Sequence, residues 1–588
     1  MFYQAFAAPF RPSLVAADAA IAALLRCYCR EIAEPGGDVA VALPAEVGLG
    51  STPPFALLNA VLRIAIDPGA EILIGVERDR PLQGYRFLTS PFLRIDSGPV
   101  RALGWAALAD VLYADIARRT GIANSELADQ TANSVAMTTA LLTASGRSLH
   151  LGSDAAAGYL QSEAGLPLGH AFHPTPKARE GVAVDAIVRY SPESRRPFDL
   201  AYFAVSRDHL RIRQTDGACA TDMLASCLPD FRDDGRQILP VHPLQASALR
   251  DDPRIVRALA EGWLEDLGTH ARPFHATSSV RTVIGPADPW FLKLSLAVRM
   301  TNCVRKNAAY ELDGAVAMTT YMAGYEDGLR QLFPGFRLLS EPASLSIDAP
   351  GWDDADRTAL IEGFGLILRR SLLPLAPMGT SPLLAGALFS PGLGRPALGH
   401  RLLHDRPAAA RAAWIGRYAA ALVPPILHAL FHHGIAFEPH LQNVVVSLIG
   451  DEPDGIYLRD YEGVKLTPLA KDTAAIDRLN DVARAALRYD GDAGWRRVAY
   501  CLFVNHLGEA IRHLSDDDAG VETASWKEVA GVVAGWQRRF GTTESKQRLD
   551  PLLAGGPLPA KATLLTRFER RRDRDSLYID VAGPFGAC

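Results

Sequence analysis

The segment GIAFEPHLQNVVVSLIGDEPDGIYLRDYEG, residues 434–463, holds the side chains best suited to chemistry. Glu438, His440, Gln442 and Asn443 precede a predicted strand pair, 443–448 and 455–458, and Asp460 follows it, 17 positions after Asn443. The order is therefore a His-containing loop with an amide, a hairpin, and a carboxylate.

A second hairpin is predicted upstream, with strands 276–284 and 290–297 joined by residues 285–289. Alternation places cations and hydroxyls on shared faces: Ser279, Arg281 and Val283 on the first strand, Phe291, Lys293 and Ser295 on the second. A lysine amid apolar neighbours is costly to bury without an anionic partner, so a bound anion would explain Lys293. The alternative is an edge-strand lysine that reaches solvent.

Two further segments concentrate polar groups. In RMTNCVRKN, a helix beginning at the Thr-Asn pair would place Thr301 and Arg305 on one face, and arginine binds carboxylates or phosphates in bidentate fashion. In GHAFHPTPKAREG, proline keeps the chain extended and could present His170 and Lys177 to one anion. The alternatives are a basic helix face paired with surface acids and a solvated loop.

Lys293 on its strand, the loop with His440 and Asn443, and then Asp460 follow the order of an ATP site in small-molecule kinases, where the Asn and Asp hold Mg²⁺ on the phosphates. Such a kinase has an Asp that acts as its general base two residues after the His, but this sequence has Gln442 at that position. A carboxylate that attacks the α-phosphate needs no base. Adenylation of an acid, followed by attack of an amine or alcohol, therefore fits better than phosphoryl transfer.

Composition limits the classes of partner. The 588 residues include 61 Lys and Arg against 66 Asp and Glu, a formal charge of −5, which argues against a nucleic-acid or polybasic membrane binder. Seven scattered cysteines form no CxxC pair, and neither a signal peptide nor an apolar run of about 18 residues is evident. We expect a cytoplasmic protein with reduced thiols.

Hydrophobic periodicity predicts an α+β, multidomain chain. Its first third and its last part are predicted to be mainly helical, with β-strands between them. The predicted helices span 16–30, 104–120, 124–145, 353–373, 408–433, 472–489, 494–514 and 526–540, and the other predicted strands span 38–43, 70–76 and 201–205.

Five motifs in order, from about residue 165 to 465, resemble the aerobactin-synthetase (IucA/IucC) family of siderophore synthetases that work independently of non-ribosomal peptide synthetases. They are GHAFHPTPKAREG, LPVHPLQ, TSSVRT, the Lys293 strand with TNCVRKN, and EPHLQN followed by RDYEG. The resemblance implies a cupped hand: a thumb (1–165), fingers with an antiparallel sheet (166–350), and a mainly helical palm with a kinase-like ATP site (351–588).

The resemblance also implies roles for individual residues. The residues implied to contact the nucleotide are Ser279, Arg281, Thr282, Lys293, Gln442 and Asp460, and His170 and Lys177 belong to a family motif whose role is less defined. Arg305 and His440 are implied to bind the acid, with Thr301 and Glu438 beside them. Asn443 and Asp460 are implied to hold Mg²⁺. Lys293, Arg305 and His440 are the predicted catalytic residues. Glu438 and Glu462 are the candidates for a general base.

We therefore expect an ATP- and Mg²⁺-dependent ligase, a homodimer without nucleic-acid or membrane partners. It would adenylate citrate or a related polycarboxylic acid and condense it with an amino acid, diaminopropionate, a diamine or a hydroxyl. The Thr-Asn-x-x-Arg form of Thr301, Asn302 and Arg305 favours free citrate. The alternatives are a small-molecule kinase of the aminoglycoside-phosphotransferase type and a non-catalytic citrate- or nucleotide-binding regulator.

Overall fold

The computed structural model describes residues 10–67, 69–77, 82, 84–145, 154–231, 235–300, 303–390, 397–516 and 518–587. Its N-terminal region packs helices against one face of an antiparallel meander. The helices are Pro12–Tyr28, continued by a π-helical turn Cys29–Ala33, Trp105–Thr120 and Glu126–Ser145; the strands, in sheet order, are Val39–Ala42, Val61–Asp67, Ala70–Gly75, Phe92–Ile95 and Arg101–Ala102. Leu564 and Phe568, from near the C-terminus, complete this core.

The segment Pro12–Ala33 is the one helical stretch in the described part of the chain that is long and apolar enough to cross a membrane, by length and composition only. Half of its apolar window is buried inside the fold. Leu24 and Leu25 have no exposed surface and pack into the N-terminal core. Its hydrophobicity is therefore used in tertiary packing.

The central region is built on a six-stranded antiparallel sheet. Its strand order is His275–Ala276, Thr282–Ile284, Trp290–Leu294, Leu366–Arg370, Ala343–Ile347 and Leu210–Gln214. A second sheet joins Leu264–Thr269, Ala201–Val205 and Gln237–Val241, and a third joins Cys303–Val304, Arg299–Met300 and Arg179–Glu180. The first sheet includes Leu366–Arg370, so the predicted boundary at residue 350 divides it.

Helices cover these sheets and connect their strands. They are Ala155–Ser162, Val184–Arg189, Ala220–Ala225, Pro243–Arg250, Pro253–Ala260, Ala309–Leu332 and Asp354–Phe364. The sheet face with Leu292 and Leu368 packs on the apolar side of these elements. The opposite face carries the polar residues described below.

The C-terminal region is mainly helical around a four-stranded sheet. The sheet order is Phe336–Leu338, Glu452–Leu458, Val444–Ile449 and Thr380–Leu384, and two-stranded ladders join Ile435–Ala436 to Lys465–Leu466 and Leu558–Lys561 to Tyr578–Val581. Its helices are Ala385–Phe389, Leu398–Leu403, Ala408–His433, Ala474–Asp477, Asp481–Ala486, Gly491–Ala499, the π-helix Tyr500–Leu507, Gly508–Ser515, Ala519–Phe540, Thr543–Leu553 and Thr563–Phe568.

The long amphipathic helices and the hairpin 443–458 agree with the predictions, but three other predictions were wrong. The predicted helix 353–373 ends at Phe364, because the chain enters the central strand Leu366–Arg370. The predicted helix 472–489 is two short helices. Residues 303–304 pair with Arg299–Met300 as an antiparallel strand and not as a helix, whereas the Thr-Asn pair 301–302 lies outside the described residues. The predicted strand 38–43 is confirmed, whereas its neighbour Val61–Asp67 was not predicted.

Candidate active site

A cavity of about 1410 Å³ opens between the central sheet and the C-terminal region. It brings together every predicted site residue that the structure describes: His170, Lys177, Ser279, Arg281, Thr282, Lys293, Arg305, Glu438, His440, Gln442, Asn443, Asp460 and Glu462. Thr301 and Asn302 lie outside the described residues.

The cavity wall has the opposite charge balance to the whole chain. Seventeen Lys and Arg side chains line it against ten Asp and Glu side chains, whereas the chain carries a formal charge of −5. Low-dielectric walls with one excess sign concentrate a potential that attracts ligands of the other sign. The cavity therefore suits polyanionic ligands.

Strand register places two cations on one face of the six-stranded sheet. Lys293 pairs with Ile367 and Phe291 pairs with Arg369, and directly opposed residues of an antiparallel pair share a face. Lys293 and Arg369 therefore project from the same side. Both reach Oδ1 of Asp460, at 2.7 Å from Lys293 Nζ and 2.9 Å from Arg369 Nη2.

The hairpin brings the carboxylate to these cations. Val444 pairs with Leu458, so the loop with His440 and Asn443 lies beside Asp460 at the open end. Arg459 N–H donates to the Asn443 carbonyl at 3.1 Å and continues the ladder by one bond. Asp460 then takes φ +81°, a left-handed conformation that is strained for a non-glycine residue and is typical of functional sites.

An ion cluster results, which we define as Arg281, Lys293, Glu341, Arg369, Asp460 and Glu462. Lys293 Nζ lies 2.7 Å from Glu462 Oε2, Arg281 Nη2 lies 3.1 Å from the same oxygen, and Arg369 Nε donates to Glu341 at 2.7 Å. Burial alone would lower the pKa of Lys293, but the charges of Asp460 and Glu462 outweigh it and raise that pKa. Burial likewise opposes ionisation of Glu462, yet Lys293 and Arg281 lower its pKa to about 2. Lys293 and Glu462 are therefore both charged at neutral pH.

The predicted alternation along 276–284 was wrong before Thr282. Residues 277–281 form a turn in which Thr277 N–H donates to the Thr282 carbonyl and Val280 has φ +67°. Thr282, not Arg281, lies opposite Lys293. Arg281 instead reaches across, donating to Asn307 Oδ1 at 2.6 Å and to the Arg305 carbonyl at 3.1 Å.

Arg459 is a buried connection that the sequence analysis missed. Its guanidinium pairs with Glu163 and donates to the Gln442 carbonyl at 2.7 Å and to Ser278 Oγ at 3.1 Å. Burial would raise the pKa of Glu163, but Arg459 outweighs it and lowers that pKa. One side chain therefore ties helix Ala155–Ser162, the turn 277–281 and the His440 loop together.

Two histidines face the cavity as neutral rings. Burial lowers the pKa of His440 more than the nearby charges of Glu438 and Asp460 raise it. Burial lowers the pKa of His170 to about 4. Phe172 N–H donates to His170 Nδ1 at 3.0 Å, and His170 Nε2 contacts the side-chain amide of Asn505 and lies 3.4 Å from Tyr500 Oη.

Several predicted residues have protein partners here. Lys177 Nζ lies 2.6 Å from the buried carboxylate of Glu193, and Lys177 and Arg179 outweigh burial and lower the pKa of Glu193. Glu438 pairs with Arg497. Glu438 and Glu462, the candidates for a general base, are therefore both held in ion pairs. Glu311, also missed, lines the cavity with its pKa raised to about 7 by burial and by the charge of Glu462.

Two residues at the hairpin, Asn443 and Asp460, carry side-chain oxygens that could hold a magnesium ion. Both hydrogen bonds of Asp460 use Oδ1, and Asn443 uses its side-chain nitrogen to donate to the Glu438 carbonyl at 3.3 Å. Asp460 Oδ2 and Asn443 Oδ1 therefore have no hydrogen-bond partner in the described part of the chain. Carboxylate and amide oxygens suit Mg²⁺. Among the described residues, no group of three or more His, Cys, Asp and Glu side chains forms a metal site.

Comparison with known proteins shows which family has this arrangement of a cavity between a central sheet and a mainly helical C-terminal region. The family model described as IucA / IucC family matches residues 158–390, and one described as Ferric iron reductase FhuF-like transporter matches residues 412–576. The Rhizobactin siderophore biosynthesis protein RhbC of Rhizobium meliloti is 30% identical over 459 residues, covering 72% of this chain and 75% of that protein. The chain belongs to the IucA/IucC family.

Other relatives and solved structures agree. The L-2,3-diaminopropanoate–citrate ligase of Staphylococcus aureus is 28% identical over 420 residues, covering 70% of this chain and 72% of that protein. ATP-bound aerobactin synthetase IucA from Klebsiella pneumoniae superposes with a TM-score of 0.80 at 21% identity, covering 96% and 99% of the two chains. The petrobactin biosynthesis protein AsbB of Bacillus anthracis gives 0.78 at 18% identity, covering 100% and 97%. These two structures share the fold.

Proposed function

We propose that this chain is an ATP-dependent siderophore synthetase. It adenylates a carboxylate of citrate, or of a related polycarboxylic acid, and condenses it with an amine or hydroxyl nucleophile, releasing AMP and pyrophosphate. The observation that carries the proposal is the meeting of Lys293, Asp460 and Glu462 at the cationic cavity, beside the neutral ring of His440. Relatives that are named citrate ligases support citrate as the acid.

The ion cluster supplies the electrostatics of the first step. A carboxylate oxygen attacks the α-phosphorus, a P–O bond forms, and pyrophosphate leaves. Lys293 and Arg281 lie where they can hold the phosphates, with Ser279, Thr282 and Gln442 beside them. Fixed donors aimed at developing charge are worth about 3–4 kcal/mol each in comparable sites. Asn443 and Asp460 would hold Mg²⁺, which supplies further positive charge against the phosphates.

The second step needs a proton acceptor. The amine attacks the acyl carbonyl, a C–N bond forms, the C–O bond to AMP breaks, and the amine loses a proton. His440 is neutral at pH 7 and its ring has no hydrogen-bond partner among the described residues, so it can take that proton. We propose this role for His440 and the grip on the acid for Arg305, since both line the same cavity.

The three-domain hand stays a prediction, as do the cytoplasmic location and the homodimer. The cupped shape of thumb (1–165), fingers (166–350) and palm (351–588) and the likeness to kinases in the ATP site are part of the same proposal. Size-exclusion chromatography with light scattering tests the homodimer.

A panel of acids tests the function. The chain is incubated with ATP, Mg²⁺ and hydroxylamine, with citrate and then with other polycarboxylic and 2-oxo acids. We expect citrate-dependent hydroxamate, AMP and pyrophosphate. Release of ADP would indicate the kinase, which the named relatives do not favour, and tight binding without turnover would indicate the regulator. No acid-dependent pyrophosphate with any acid would overturn the proposal.

A further inference from the structure

The cavity continues past the ion cluster to a second group of charged side chains. We define the distal pocket as Arg26, Glu509, Arg512 and His513, all of which line the cavity. Arg26 lies on helix Pro12–Tyr28, and the other three lie on helix Gly508–Ser515. The steps proposed above use none of these residues.

One face of a continuous helical segment connects the two ends. Arg497, Tyr500 or Cys501, Asn505, Glu509 and Arg512 or His513 recur every three or four residues along 491–515, and each lines the cavity. Asn505 contacts His170, and Glu509 lies one turn beyond Asn505. The charges of both Glu509 and His440 act on the pKa of His170, after burial as the largest cause. His170 therefore lies within electrostatic range of both the distal pocket and the proposed reaction centre.

The distal pocket holds an uncompensated cation. Glu509 Oε2 lies 3.3 Å from His513 Nε2, and Glu509 Oε1 lies 3.8 Å from Arg512 Nη1. The side chain of Arg26 makes no ion pair or hydrogen bond with any described residue, and its Nε is buried without a partner. Burial, and then the nearby charge of Arg512, lower the pKa of Arg26 to about 9. The distal pocket thus holds two guanidinium groups and one carboxylate, and the carboxylate is paired with Arg512 and His513 rather than with Arg26.

An orphan donor and an orphan acceptor lie in the same pocket. Glu509 is 7% exposed, and its Oε1 accepts no hydrogen bond among the described residues. Leaving a buried hydrogen-bonding atom unsatisfied is costly, so the Nε atom of Arg26 and the Oε1 atom of Glu509 are best explained by a ligand that offers both an acceptor and a donor. A carboxylate would satisfy Arg26 and Arg512, and an ammonium group would satisfy Glu509.

We propose that the distal pocket binds the α-amino-acid head group of the acceptor substrate, with its carboxylate on Arg26 and Arg512 and its ammonium on Glu509. A second amine, on the side chain of that acceptor, then points past His170 and attacks the activated acid. The C–N bond forms at this amine, the C–O bond to AMP breaks, and the proton goes to His440. This assignment rests on the proposed function. It selects diamino acids over simple diamines.

Matched acceptor pairs test the assignment. Each diamino acid is compared with its decarboxylated diamine: 2,3-diaminopropionate with ethylenediamine, ornithine with putrescine, and lysine with cadaverine. The readout is kcat/KM for amide formation, normalised to the hydroxylamine-trapped rate of the same preparation. For the best pair we expect the wild type to prefer the amino acid by about tenfold or more, the value of one charged hydrogen bond.

Variants locate the preference. Arg26→Leu should bring the preference close to unity, Arg26→Lys should keep part of it, and Glu509→Gln should raise KM for the amino acid. Arg572→Leu is the matched control, because Arg572 lines the same cavity, but its side chain is 73% exposed and paired with Asp575; it should keep the full preference. Equal use of diamines by the wild type, or a full preference in Arg26→Leu, would overturn the assignment. Absence of hydroxamate with every acid would overturn the proposed function instead.

Discussion

The two ends of the cavity treat their cations differently. In the ion cluster, Lys293, Arg281 and Arg369 each lie within 3.1 Å of a carboxylate oxygen. In the distal pocket, Arg26 has no such partner in the part of the chain that the structure describes, and Arg512 lies 3.8 Å from a carboxylate oxygen of Glu509. A paired cation is held in place before any ligand binds, whereas an unpaired one is stabilised by the ligand. The ion cluster is therefore pre-organised, whereas the distal pocket is completed when the substrate binds.

The largest effect is expected at Lys293. Lys293→Ala leaves Asp460 and Glu462 without their shared cation, so they repel each other and the phosphates. We expect acid-dependent pyrophosphate release to fall by about 10²–10³-fold in kcat/KM. Arg574→Ala is the control, since Arg574 lines the cavity with a side chain 58% exposed, and it should keep its rate. Full activity in Lys293→Ala would remove the ion cluster from the mechanism.

Arg459 tests the comparison through stability. Arg459→Met leaves Glu163 ionised and buried, which should cost about 3–5 kcal/mol in the free energy of unfolding. Arg26→Leu should change stability little, because it leaves no buried partner unpaired. The double variant with Glu163→Leu should regain stability but not activity, since the Gln442 loop and the Ser278 turn lose their common hydrogen-bond donor. Equal melting temperatures for the two single variants would contradict the distinction.

Arg459 also shows where sequence reasoning stopped. The motif RDYEG contains it, but Glu163 lies 296 residues away, in a helix that carries no chemical pattern. Glu341 and Arg369 were missed for the same reason: only the sheet register places Arg369 beside Lys293. The periodic spacing of apolar residues identifies long helices such as Ala408–His433, because one whole face of such a helix is buried. It fails at Leu366–Arg370, a strand too short and too apolar to differ from a buried helical turn.

Substitution of Arg305 tests whether acid binding and nucleotide binding use different residues at the end of the cavity that holds the ion cluster. Arg305→Ala should raise KM for citrate and lower kcat/KM by about 10–100-fold, because a bidentate charged contact is lost. KM for ATP should change much less. Arg305→Lys should recover only part of the loss, since an ammonium cannot form the fork. The adjacent Lys306→Ala is the control and should leave KM for citrate unchanged; equal effects of both variants would argue for bulk charge alone.

The smallest effect concerns pH. The pKa of Glu462 is lowered to about 2 in the fold from an ordinary value of 4.5, chiefly by Lys293 and Arg281 acting against burial. A group with a lowered pKa contributes stability that is fully present above pH 4.5 and is lost as the pH falls towards 2. The difference in melting temperature between the wild type and Glu462→Gln should therefore be constant from pH 7 to 5 and shrink from pH 4.5 to 3.

A double-variant cycle identifies the cause of that pH dependence. In a Lys293→Met background, the main cation that lowers the pKa of Glu462 is gone, so Glu462→Gln should produce a smaller and less pH-dependent shift. The effects of two substitutions on the free energy of unfolding add when the sites are independent and do not add when the residues interact. If Glu462→Gln changes the melting temperature equally with and without Lys293, the two residues are not coupled. The ion cluster would then be no better pre-organised than the distal pocket.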